Sequence, residues 1–474
     1  MFDESAYVIR GGFPTGDTAA LAFDEADLVR ALHAYRFFYP TVSFEATWRG
    51  NRDGGVVPNK VFPALKGTPK QFVFTPNSDT PYGAVALDLS DSPIVLEVPP
   101  GPIMGTFNDL NQLWIMDYGL PGPAEAAGGK HVGLPPGWDG EIPDGMYSAR
   151  STTNRVLGLI RAMPIGGDME AAERLMRSVK VYPLEPREDW PETTWVDLSV
   201  LDGADFTPVR WETGLDYWRV LHDTLQEEPP NPAYRYEYGE LAQLGIARGF
   251  PFEPDARSTA ILEKAAAIGH AHLLAQSFAD RSPAKQVWPG TQWEWAVLQS
   301  DNGTFDAPDY TDLYAREKWF YQAQVESPAM FARAPGAGSL YWLGLRDADG
   351  EYLYGENAYV LDVPLPVPAT LFWSITVYDA ETRSEILTDQ NAAALRSMYE
   401  LQDLTGDTVR LHFSPEPPTD PGDATRWIKT KPGVGWFVYF RIYGPEPAAF
   451  DGSWRLPGFS RGSAEGQFGP QSPE

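Results

Sequence analysis

The chain has 474 residues, 65 acidic against 37 basic side chains, a net charge of −28 and no cysteine. So much negative charge repels phosphate backbones and anionic lipid heads, so neither nucleic acid nor a membrane surface is an expected partner. Without cysteine there is no disulfide, thiol nucleophile, iron–sulfur cluster or thiolate zinc site.

The length exceeds what one hydrophobic core fills, so two or three packed units are expected. Residues 24–39 carry Leu28, Leu32, Tyr35 and Phe38 at helical spacing behind an acidic start, which predicts an amphipathic helix ended by Pro40. With the residues around it this helix forms an N-terminal segment, 1–70. Over 71–210 the pattern changes to short apolar or alternating runs (84–89, 94–98, 156–163) between Pro/Gly turns such as Leu134-Pro135-Pro136-Gly137, the pattern of an antiparallel sandwich.

Helical periodicity returns over 211–335 and is clearest in 258–278, where Asp255 fits an N-cap; this stretch reads as a helical bridge. A second sandwich is expected over 336–458, with strands at 359–363, 371–378, 409–413 and 436–443. A Gly/Pro/Ser-rich tail, 459–474, reads as disordered. The expected class is mainly β with α: two antiparallel sandwich-like domains joined by helices. No stretch has the length and apolarity of a signal peptide or membrane span, so a cytoplasmic location is expected.

Two stretches resemble a known family: Thr75-Pro76-Asn77-Ser78-Asp79-Thr80-Pro81-Tyr82 running into Leu87-Asp88-Leu89, and Phe372-Trp373-Ser374-Ile375-Thr376-Val377-Tyr378-Asp379. Together with Gly128-Gly129-Lys130 and the run from Gly435-Trp436-Phe437 to Arg441-Ile442-Tyr443-Gly444-Pro445, they resemble the tandem family of unknown-function modules numbered 1254 (N-terminal) and 1214 (C-terminal). The resemblance implies two β-sandwich modules joined by a helical one, and it implies no reaction. His131 stands where a tyrosine is common in that family.

Strand alternation supplies the candidate site. In 436–443 Trp436, Val438, Phe440 and Ile442 share the core face, and Tyr439, Arg441 and Tyr443 share the other. In 371–378 the same logic sets Ser374, Thr376 and Tyr378 apart from Trp373, Ile375 and Val377. A guanidinium among phenols and hydroxyls suits a carboxylate or a planar ligand. The alternative is that both faces bury against the other module with Arg441 in an ion pair.

The turn Pro76–Tyr82 crowds Asn77, Asp79 and Thr80, from which Asp79 could project as base or nucleophile; the alternative is an Asx-type turn that satisfies its own backbone. Arg161 alternates with Leu157 and Leu159, which aims a charge into an apolar face; Asp79, Asp88 or Asp117 could pair with it. Trp114 and Asp117 are candidates for a rim of the same cavity, and His131, placed in a Gly-rich loop, for a proton carrier.

No histidine pair has ligand spacing on a helix, no phosphate-binding glycine motif is present, and neither metal nor cofactor is expected. The run Asp347-Ala348-Asp349-Gly350-Glu351 reads as a calcium loop or, lacking the full ligand pattern, a hairpin turn. Two functions fit: a cofactor-free hydrolase or lyase acting on a small apolar or aromatic molecule with an acyl or carboxylate group (catalytic Asp79, Arg161 and His131), or a non-catalytic binder of a small molecule or carbohydrate. A homodimer is a further expectation.

Overall fold

The computed structural model describes residues 3–298, 303–336, 338–402 and 404–462. In the N-terminal unit a six-stranded sheet runs in the order Thr194–Asp197, Val61–Leu65, Tyr82–Asp88, Arg155–Ala162, Ile103–Asp109, Trp114–Gly119. It faces a four-stranded sheet of Lys180–Pro183, Ile94–Val98, Gly129–Leu134 and Met146–Arg150. The core between them holds Val85 and Leu87 from one strand, Val156 and Ile160 from its neighbour, and Leu96 and Val98 from the facing sheet. These are the alternate residues that the period of two assigns to one side.

The C-terminal unit repeats the plan. Five strands (Trp293–Trp295, Ser339–Gly344, Trp436–Pro445, Ala369–Asp379, Ala394–Arg396) pack on four (Trp427–Lys429, Thr408–Ser414, Tyr359–Pro364, Ser460–Arg461). Trp342, Trp373, Ile375, Val438 and Phe440 fill the core between them. The architecture is thus mainly β with α, in two sandwiches of mostly antiparallel strands.

Helices cover one end of the outer face of the five-stranded sheet. Ala256–Phe278, capped by the Asp255 side chain on the Ser258 amide, packs along the first helix, and Tyr217, Trp218, Tyr378 and Phe437 share that core. The first helix is much longer than its sequence suggests, running from Gly16 through Pro40 to Asp53. Pro40 lacks the amide for one helical hydrogen bond. The helix continues because its second half is buried: Phe44 and Trp48 pack on Ala84, Ala86 and Leu157 of the N-terminal sheet, and tertiary packing overrides the local breaker.

Other boundaries also move. Val61–Leu65, in the segment read as irregular, pairs into the N-terminal sheet, and Trp293–Trp295, read as part of the bridge, pairs with Ser339–Gly344. At the start of the supposedly disordered tail, Ser460 and Arg461 pair with Val360 and Tyr359; residues 463–474 lie outside the described residues. Among the described residues no helix is long and apolar enough to cross a membrane.

Candidate functional site

Each sandwich turns one face toward the other. On the N-terminal sheet the residues left over from the core share a face: Tyr82 pairs with Arg161 and Arg161 with Met104, while Ala84, Leu159 and Thr106 make the next row and Asp117 follows Thr106. On the C-terminal sheet Tyr341, Arg441 and Ser374 stand in one row across three adjacent strands, with Ser339, Tyr443 and Phe372 in the next. The two polar-aromatic strands are therefore neighbours, and Tyr341 joins them from the third.

Between these faces lies a cavity of about 770 Å³, within the range of small-molecule pockets. Arg161, Tyr82, Tyr341, Arg441 and Tyr443 gather at one part of its wall. The rest is mostly apolar, including Leu65, Phe74, Leu157, Leu159 and Phe206, and Thr47 of the first helix also lines it. Along the strand, Leu157 lies four residues from Arg161, so the apolar trough extends ~13 Å from the guanidinium.

Arg161 is half-buried; its Nη1 donates to the Tyr82 hydroxyl at 3.4 Å and its guanidinium lies 5.4 Å from that ring. Arg441 is only 2% exposed. It donates to Thr376 Oγ1 at 3.0 Å and to the Thr75 and Pro76 carbonyls at 3.0 and 3.4 Å, while its buried Nε has no partner among the described residues. Neither guanidinium forms an ion pair with a described carboxylate; Asp79 acts on Arg441 from beyond that distance.

The turn that carries Asp79 is held from both sides. Asn77 Oδ1 accepts from the Asp79 and Thr80 amides at 3.0 and 3.3 Å, the Asx arrangement, and Asn77 Nδ2 donates to the Tyr82 hydroxyl at 2.6 Å. Asp79 is fully buried, and its Oδ2 accepts from Ser374 Oγ at 2.8 Å and Tyr443 Oη at 2.9 Å. Its carboxylate stands behind the cavity wall and reaches it through the Tyr443 phenol, which does line the space. Burial, with Asp79 adding to it, holds Tyr443 well above the usual phenol range, so this hydroxyl stays a donor.

Of the residues singled out in the sequence, Arg161, Asn77, Tyr82, Asp117, Tyr439, Arg441 and Tyr443 line the cavity. Thr80, Ser374, Thr376 and Tyr378 are buried behind the wall; Thr376 positions Arg441, and Tyr378 donates to the Pro76 carbonyl. Asp117 makes no ion pair with Arg161. It accepts from Trp114 Nε1 at 3.1 Å; burial raises its carboxyl while its bonds with Thr106 and Trp114 oppose the rise. Trp114 itself is 37% exposed and does not line the cavity.

His131 is apart from all of these. It lies within the strand Gly129–Leu134 and not in a loop, and alternation turns it into the N-terminal sandwich between Tyr118 and Tyr147. Burial lowers its imidazole to about 4, so it is neutral near pH 7, and it does not line the cavity. The acidic run at Asp347 closes a turn: its Oδ1 accepts from the Asp349 and Glu351 amides at 3.1 and 3.0 Å, and Oδ2 from Arg461 at 2.7 Å. Among the described residues no group of three or more His, Asp or Glu is placed to hold a metal ion.

Two contributors went unnoticed in the sequence. Tyr341 could have been found from alternation in 339–344, which places it opposite Arg441 only once the strand pairing is known. Glu385 is buried beneath the turn, accepting from Ser78 Oγ at 2.7 Å with Oε2 unpartnered, and burial and then the Asp79 charge push it up to about 7. No local pattern marks it.

Residues 59–183 match the family model described as Protein of unknown function (DUF1254), and 338–447 match Protein of unknown function (DUF1214). The chain is similar in fold to the crystal structure of the VPA0106 protein from Vibrio parahaemolyticus, at 16% identity and a TM-score of 0.55 over 92% of this chain and 100% of that one. A putative uncharacterized protein from Burkholderia cenocepacia aligns at 11% identity and a TM-score of 0.41, over 94% of this chain and 96% of that one. Among curated proteins nothing matches.

Proposed function

We propose that this chain, which carries a DUF1254 module followed by a DUF1214 module, binds a small, mostly apolar molecule through a carboxylate or acyl group in the cavity between them. One observation carries the reading: two buried or half-buried guanidiniums, Arg161 and Arg441, face one apolar cavity with no ion-paired carboxylate among the described residues. A charge in a low-dielectric wall needs a partner, and a ligand anion supplies it. Arg161, with the fewer internal hydrogen bonds, is the principal anion contact; Arg441, fixed by Thr376 and two carbonyls, is the positioned second one.

A hydrolase or lyase is the second reading, and one contact favours it. The Tyr443 hydroxyl on the wall is backed by the buried Asp79 carboxylate, a pairing able to orient a proton donor toward a bound acyl oxygen. Asp79, behind that phenol, would act as a positioning group and not as a nucleophile.

The binding reading is tested by calorimetric titration of decanoate and 4-phenylbutyrate into the natural chain and into Arg161→Met. Loss of one charge-assisted contact should weaken binding by about 10- to 100-fold. Equal affinity for the two proteins would remove Arg161 from the site and the reading with it.

A further inference from the structure

We infer that the cavity selects a ligand whose head carries a single negative charge on an apolar body, over both neutral and doubly charged heads. This rests on the binding function proposed above and adds the charge of the ligand to it.

The count comes from groups that share neighbours. Tyr82 and Tyr443 each interact electrostatically with Arg161, Arg441 and Asp79, so the three charges converge on the same phenols. At this pole two guanidiniums stand against the Asp79 carboxylate, which leaves one net positive charge; Asp117, a second carboxylate on the cavity wall, lies one row away, is tied to Trp114 Nε1 at 3.1 Å and has its carboxyl raised by burial. The next shell does not alter it: Arg396, whose Nη1 holds the Ser78 carbonyl, is paired with Glu400 at 2.5 Å, and buried Glu385 keeps its proton until about pH 7.

A monoanion brings this pole to neutrality. A dianion would leave an uncompensated charge against the buried Asp79, and in a weakly polar wall that cost is steep. A neutral head would leave the guanidiniums and the unpartnered Arg441 Nε as they are. Beyond the pole the lining turns apolar at Leu159 and Leu157, which suits an alkyl or aryl body rather than a second polar end.

The test is a titration at about pH 6.5 of decanoate, octylmalonate, whose head is then mostly dianionic, and decanol. The wild-type chain should bind decanoate about tenfold or more tighter than either. Asp79→Asn keeps the side-chain shape and an oxygen for the Tyr443 and Ser374 hydroxyls but makes the pole doubly positive; the decanoate-to-octylmalonate affinity ratio should fall about tenfold. Circular dichroism of the variant confirms that it is folded. Binding of decanoate with octylmalonate or decanol equally tight, or a ratio untouched by Asp79→Asn, overturns the inference and leaves the binding function standing. Binding of none of the three probes to the wild-type chain overturns both.

Discussion

Asp79 is the residue on which the two halves of the site converge. Its carboxylate takes two hydroxyls from strands of the other module, separated from it by 295 and 364 residues. Asp79→Ala would leave the buried Tyr443 and Ser374 hydroxyls without their acceptor. Each such loss costs about 1–3 kcal/mol, so a destabilisation of about 2–6 kcal/mol is expected in urea unfolding. A change below about 1 kcal/mol would mean that these hydrogen bonds carry no structural weight. The sequence shows that an acid sits in a proline-bounded turn; it does not show which way the acid points, because its partners are hundreds of residues away. Arg161 and Arg441 were legible for the opposite reason, since alternation along a single strand states which face a residue occupies.

At the scale of elements, the turn 76–82 is clamped to the C-terminal sheet through Ser78 and Glu385. Glu385 has a folded-state carboxyl raised from 4.5 to about 7, first by burial and then by Asp79. Its contribution is fully present below pH 4.5, where it is protonated in both states. As pH rises through 4.5 the unfolded chain releases the proton and the folded chain does not, so stability falls until about pH 7 and then levels. Glu385→Gln lacks this loss: its stability relative to the natural chain should grow by about 3 kcal/mol between pH 4 and 8, measured by urea unfolding at each pH. A constant difference would contradict the assignment. Elements were legible where the pattern was internal, as in Ala256–Phe278 and Trp436–Pro445. They were misread where burial against distant chain overruled a local signal, as at Pro40 and His131.

Across the whole molecule, the modules are joined by contacts a sandwich boundary would not suggest. The Thr75 amide donates to the Arg383 carbonyl at 2.8 Å, and Ser384 bonds both the Val73 amide and the Gln71 carbonyl. Arg383, fully buried, is paired with Glu212 of the helical layer and donates to Tyr39 of the first helix at 3.1 Å. A second buried network ties Arg155 of the N-terminal sheet to Glu45 at 2.7 Å and Glu228 at 2.6 Å. Such links couple the units, so unfolding in denaturant should follow one curve by tryptophan fluorescence and by far-UV circular dichroism. Two separated transitions would show that the modules fold independently. This joining was the least legible feature, because alternation marks a face able to bury against the other module but does not say which residues of that module meet it.

An anion received at Arg161 and Arg441, as proposed, would be visible in the space between the sheets. A crystal of the full chain grown with decanoate tests it most directly. Density is expected for the carboxylate within hydrogen-bonding distance of the Arg161 guanidinium, with the alkyl chain running past Leu159 toward Leu157; decanoate bound elsewhere, or lying with its carboxylate at the apolar end, would overturn the proposed site.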